Sequence, residues 1–315
     1  MCNFKYVRRQ SGPIGSQRFN DQRKTRGQGK KPLPPPTHIG EFFLMIVLKM
    51  CKKVLLADTA VKIGLYLIGV MAGSILADVM ALPRSYFSDS HNIFNQFFVK
   101  LGWGWTLASL SSFTGMTSFV YSLGKWPQVK LHFLRLALAT FWWYAVTSAL
   151  NYVESVVGIC TEPIYPSRVS CNKAGQSWLG FDISGHVFLL IHNLLTISEE
   201  VKFFKDWSKL ETILDKENLA DLKNIKESEI RTTKQAYKEL TPYIKINVIF
   251  LAVLTVLWEF MLIISTVYRF HTLTQKVSAA FIAVGCWFIS YRMIIRSNCG
   301  ILQSGVSPLR FTKCE

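Results

Sequence analysis

The sequence predicts an all-α polytopic membrane protein with six transmembrane helices, both termini cytosolic, and an interfacial helix ahead of the first span. Three observations predict it. Half of the 315 residues are apolar. They fall in runs near the roughly 20 residues that cross a bilayer, not in the amphipathic periods of a soluble domain. Lysine and arginine also segregate to alternate loops, as the positive-inside rule requires.

Residues 1–39 carry Arg, Lys, Gly, Gln and a Pro34-Pro35-Pro36 run, a composition that cannot bury a core and predicts a disordered basic cytosolic tail. It is too polar for a secretory signal. Residues 40–60 hold the apolar run Phe42–Leu48, too short to span, followed by Lys49, Lys52 and Lys53. That pattern fits an interfacial helix with snorkelling lysines.

The membrane domain covers residues 61–300. Its spans are Ile63–Leu82, Leu101–Leu123 (extendable back to Phe94), Leu136–Val153, Trp178–Ser198, Ile246–Tyr268 and Val277–Tyr291, the last extendable to Ile295. The first carries Gly69-x-x-x-Gly73, a small-residue ridge for close helix approach. Gly124–Pro127 forms the turn after the second. The insert 199–242, between the fourth and fifth spans, has 10 acidic and 9 basic residues, with apolar positions at steps of three to five from Phe204 to Ile225. This is an exposed amphipathic segment. Residues 301–315 form a second cytosolic tail.

The formal net charge of +16 is concentrated at the start, where residues 1–60 hold 12 basic and 3 acidic residues. Beside a membrane, such charge favours anionic headgroups, and no nucleic-acid recognition motif accompanies it. The cytosolic segments are also available to cytoskeletal or endoplasmic-reticulum proteins. No CxxC pair, P-loop or serine-nucleophile elbow occurs, and no cofactor or metal is indicated. Cys160 and Cys171 lie in one luminal loop, where they are either bridged or two free thiols.

The charge rule puts His186, at the start of the fourth span, on the same luminal face as His271, between the fifth and sixth. Asp182 and Ser184 suit a helix N-cap, and Gly185 allows close approach of a ligand. Helix N-termini favour phosphate, and a histidine there can donate to or protonate a phosphoryl oxygen. Asp182, four residues before His186, is also placed to orient that ring. An interfacial histidine satisfying a backbone carbonyl fits the triplet equally well. Arg269 and Lys276 near His271 add positive charge, with one histidine to attack phosphorus and the other to protonate the leaving oxygen. His192, off the face of His186, reads as a packing residue.

Phe181-Asp182-Ile183-Ser184-Gly185-His186-x-Phe188-Leu189-Leu190, ending in Glu199-Glu200, resembles the signature of the fat storage-inducing transmembrane family. Tyr268-x-x-His271-Thr272 before the sixth span is similar to its second histidine motif, and Phe98-Val99-Lys100 with Trp103 and Trp105 is similar as well. The resemblance covers roughly residues 60–300. It implies an endoplasmic-reticulum protein of lipid-droplet formation with fatty acyl-CoA diphosphatase activity on the luminal side. The implied products are acyl 4′-phosphopantetheine and adenosine 3′,5′-bisphosphate, and the implied fold is a divergent relative of the lipid phosphate phosphatases. His186 then corresponds to the proton donor and His271 to the nucleophile. Three features depart from those phosphatases. No Arg-Pro occurs, Ser265 stands where they place an arginine, and Gln275 stands where they place an orienting aspartate. The alternative function is non-enzymatic binding of diacylglycerol or triacylglycerol, with Asp78 and Glu259 as headgroup contacts or as interhelical glue.

Overall fold

The computed structural model describes residues 39–80, 86, 92–176, 178–179, 183–215, 225–268, 271–295 and 309. Asp182, Arg269, residues 1–38 and, Leu309 apart, the 301–315 tail lie outside the described residues.

The elements run α1 (Ile39–Leu55), α2 (Thr59–Val79), a π-helical turn (Phe94–Val99), α3 (Gly102–Tyr121), α4 (Trp126–Val157), β1 (Ile159–Cys160), α5 (Arg168–Lys173), β2 (Trp178–Leu179), α6 (Gly185–Glu200), a 3-10 turn (Val201–Phe204), α7 (Trp207–Leu214), α8 (Glu227–Val267) and α9 (Leu273–Trp287), extended by a π-helix (Phe288–Ile294). The only strands among the described residues are the antiparallel two-residue pair β1–β2, with Cys160 opposite Trp178.

Among the described residues, four helices are long and apolar enough to cross a membrane: α2, α4, α8 and the continuous Leu273–Ile294. On α8, Ile246, Phe250, Val253, Val256, Phe260 and Ile263 form an exposed apolar stripe at helical spacing, the face a bilayer would cover. Helix α6 differs. It has 16 residues, nearly all buried, and packs against α9, α8, α3, α4 and α2. Such a central helix faces protein on every side, which is why it tolerates His192, Asn193, Thr196 and Ser198 in mid-sequence.

Several boundaries differ from the sequence expectation for identifiable reasons. The fourth span begins at Gly185, not Trp178, because Ser184 caps the helix and Trp178 belongs to β2. The third begins at Trp126, since Pro127 suits a first helical turn, where no N–H is needed. The fifth extends back to Glu227, so Pro242 lies inside one 41-residue helix. Proline removes the bond to the carbonyl of Lys238, and Lys238 is exposed, so water can serve that oxygen.

Of the Gly69/Gly73 ridge only Gly73 makes a close approach: a Cβ there would lie 2.8 Å from Thr266 Oγ1 of α8, whereas Gly69 has nothing within 4 Å. Tyr66 donates to Glu259 Oε1 at 2.8 Å. The pairs 66/259 and 73/266 share one offset, so α2 and α8 run parallel. Cys160 and Cys171 are joined by a disulfide.

Candidate active site

The register of α6 against α9 is set at their C-terminal ends. Trp287 Nε1 donates to Glu199 Oε1 at 3.1 Å, and Tyr291 Oη donates to Glu200 Oε1 at 2.9 Å. Counting back at about 1.5 Å per residue, His186 and Leu273 both lie roughly 20 Å along the helices from these bonds. The two helices pack side by side. Helix α2 starts beside the end of α6, where Thr59 and Ser198 share a hydrogen bond at 3.2 Å. Its later turns reach Thr266, whose carbonyl accepts from Lys276 in the first turn of α9; α6 and α9 therefore run parallel. Both N-termini therefore open at one end of the bundle, with His186 as the second residue of α6 and His271 two residues before α9.

Each start is built by its own sequence. Ser184, fully buried, accepts the N–H of Val187 through its side chain. Gly185 is exposed and would meet nothing within 4 Å if it carried a Cβ, so a ligand can approach the backbone there. Thr272 caps α9 in a reciprocal box with Gln275, whose Oε1 accepts the Thr272 N–H at 2.9 Å. His186 is exposed and His271 half-buried. Two parallel helix dipoles thus direct their positive ends to the histidine end, a setting that favours a phosphate dianion.

Other expected site residues have different work. Lys276 is 1% exposed, and its ammonium donates to the carbonyls of Thr266 at 2.7 Å and Tyr268 at 3.0 Å. It holds the last turn of α8, which leads directly to His271. Asp78 of α2 lies close enough for its charge to act on this lysine. Gln275 is committed to the cap, and Ser265 donates to the carbonyl of Leu262 within its own helix. Neither substitutes for the aspartate or arginine of the phosphatases at those positions. His192 donates from Nε2 to the Ala139 carbonyl at 3.0 Å and stacks on Phe188, the packing role expected of it. No group of three or more His, Cys, Asp or Glu able to hold a metal occurs among the described residues.

Sequence reasoning missed the anchor at the far end of α6. Arg135 of α4, buried, binds Glu200 through Nε at 3.0 Å and Nη2 at 2.8 Å, and its guanidinium lies 4.6 Å from the Phe203 ring centre. Two acids closing an apolar run were the available signal; their partner is 65 residues away and shows no local pattern.

The fold and the site thus define a helical polytopic membrane protein with one histidine at each of two helix starts that open at the same end of the bundle. The fat storage-inducing transmembrane protein family matches residues 83–157 and 162–291, and the chain belongs to that family. It is 35% identical over 283 residues to acyl-coenzyme A diphosphatase FITM2 of Drosophila melanogaster, covering 86% of this chain and 67% of the relative. The Homo sapiens protein of the same name is 30% identical over 230 residues, 70% of this chain and 78% of its own. That of Xenopus tropicalis is 30% identical over 232 residues, 71% of this chain and 78% of its own. No solved structure matches the chain.

Proposed function

We propose that this protein is a fatty acyl-CoA diphosphatase of the endoplasmic-reticulum membrane, hydrolysing acyl-CoA to acyl 4′-phosphopantetheine and adenosine 3′,5′-bisphosphate in support of lipid storage. The carrying observation is the parallel α6–α9 pair, which puts His186 and His271 at one end of a bundle whose relatives bear that activity in their names. The imidazole of His271 attacks one phosphorus of the pyrophosphate as His186 protonates the departing phosphate oxygen, and the P–O–P bridge breaks. Water then cleaves the phosphohistidine, with His186 accepting its proton. The amides at Gly185 and His186 face the charge that develops. Arg269 belongs to the same segment as His271 and is the cation proposed for the phosphate, with Asp182 proposed to orient His186. Lys276 acts on the phosphate only indirectly, by holding the His271 segment.

In this reading six spans cross the membrane, with α3 and α6 as the two inner ones. Both termini and the insert 199–242 are cytosolic, the histidine end is luminal, and the basic tail meets anionic headgroups. Glycosylation acceptors test the orientation: one inserted near Lys173 is modified and one near Asn218 is not. The reverse pattern overturns the topology. Neutral-lipid binding gains no specific support, because Glu259 is engaged by Tyr66 and Asp78 by the charge of Lys276, the interhelical glue role.

A further inference from the structure

Helix α4 outruns the bundle. From Arg135, which shares a level with Glu200, to Val157 is about 33 Å of helix, whereas Glu200 to His186 is about 21 Å. The end of α4 thus rises roughly 12 Å past the level of His186. Taking the Arg135–Glu200 level as one edge of a hydrocarbon core of about 30 Å, the opposite edge falls near Ser155. The chain leaves α4 there for a loop whose described residues are tied down at several points. The Cys160–Cys171 disulfide joins β1 to α5. Arg168 pairs with Glu154 at 2.6 Å, and Trp178 Nε1 donates to the Glu154 carbonyl at 3.1 Å.

A loop held this firmly had the means to turn its apolar side chains inward, yet it does not. Ile159, Ile164 and Val169 are 71%, 79% and 65% exposed. Val156 and Val157, in the last turn of α4 just before this loop, are exposed as well. The same segment carries exposed Lys173 and exposed Glu162, and Arg168, whose charge is met by Glu154. Exposed apolar side chains with balanced charges at this calculated membrane edge match an interfacial surface.

We propose that the disulfide-clamped loop spanning residues 159–179 is a membrane-docking element, seated on the leaflet at the histidine end, with the headgroup–acyl boundary of a phospholipid surface as its partner. Docked there, it keeps the acyl chain of a membrane-borne substrate in the leaflet beside α6 while the polar head reaches His186. This last role rests on the proposed diphosphatase activity; the docking does not.

The test uses the full-length protein in nanodiscs of phosphatidylcholine with phosphatidylserine. Photoreactive benzoylphenylalanine replaces Ile164 or, as a control, Arg231 on the exposed early part of α8. Irradiation is expected to give a phospholipid adduct at 164 and none at 231. An unmodified chain, or an adduct to a second copy, overturns the docking. A triple variant, Ile159→Ser, Ile164→Ser and Val169→Ser, is checked for its intact disulfide and is expected to raise KM for long-chain acyl-CoA at least ~3-fold with kcat unchanged. An unchanged KM overturns the substrate role. Lipid adducts without any acyl-CoA hydrolysis by the parent protein overturn the proposed activity and leave the docking standing.

Discussion

Glu200 of α6 grips Arg135 of α4 in a buried bidentate pair, at the end of α6 opposite His186. Two buried charges so matched are held by each other and by Tyr291, which donates to Glu200. The pair contributes little net stability against an apolar replacement of both partners, but it fixes where α6 stands along α4 and α9.

Removing one partner is therefore costly. Glu200→Ala leaves Arg135 charged and buried, and is expected to destabilise the fold by about 3–5 kcal/mol. Thermal unfolding in detergent checks it. The double variant Glu200→Met, Arg135→Met recovers most of the loss; a double variant as weak as the single one contradicts the pairing.

Lys276→Met strands the carbonyls of Thr266 and Tyr268 and is expected to cost about 1.5–3 kcal/mol. In the proposed mechanism Lys276 positions His271 and does not touch substrate, so kcat is expected to fall while KM stays within about twofold. Steady-state kinetics decide it: a rise in KM with kcat intact would make Lys276 a phosphate ligand.

The two glycines of α2 separate cleanly. Gly73→Ala forces a Cβ to 2.8 Å from Thr266 Oγ1, five residues before His271. The strain is expected to cost about 1–3 kcal/mol and to lower activity. Gly69→Ala meets nothing within 4 Å and is expected to be neutral. Equal melting temperatures for the two variants would refute the assigned contact.

Cys160→Ser opens the loop that carries the chain from α4 to Ser184. A loss of about 2–4 kcal/mol is expected, with faster amide exchange at β1 and β2. Gly158→Ala acts on the same loop by another route, since its Cβ would run into the Trp178 indole. Unaltered exchange in both variants would show that the loop stands without its clamps.

Much of this was legible in the sequence where local patterns decide. The apolar runs marked the helices, Asp182 and Ser184 stood out as candidate caps, and the spacing of His192 from His186 marked it as a packing residue. What stayed hidden depends on distant partners. The true start of α6 needed β1 to claim Trp178, and Pro242 stayed in α8 because the preceding turn faces water. Lys276 looked like a phosphate ligand because a cation beside a histidine carries the same signature whether it serves a ligand or two carbonyls. The site divides likewise: motifs marked the histidines and the charge rule put them on one face, but the bonds of Glu199 and Glu200 to Trp287 and Tyr291, which set α6 level with α9, had no local signal.

Product analysis with long-chain acyl-CoA tests the central claim most directly, using purified wild-type protein beside His186→Ala and His271→Ala. Acyl 4′-phosphopantetheine and adenosine 3′,5′-bisphosphate are expected from the wild type, with a loss of at least ~100-fold in kcat for each variant. Wild-type turnover in either variant would contradict it.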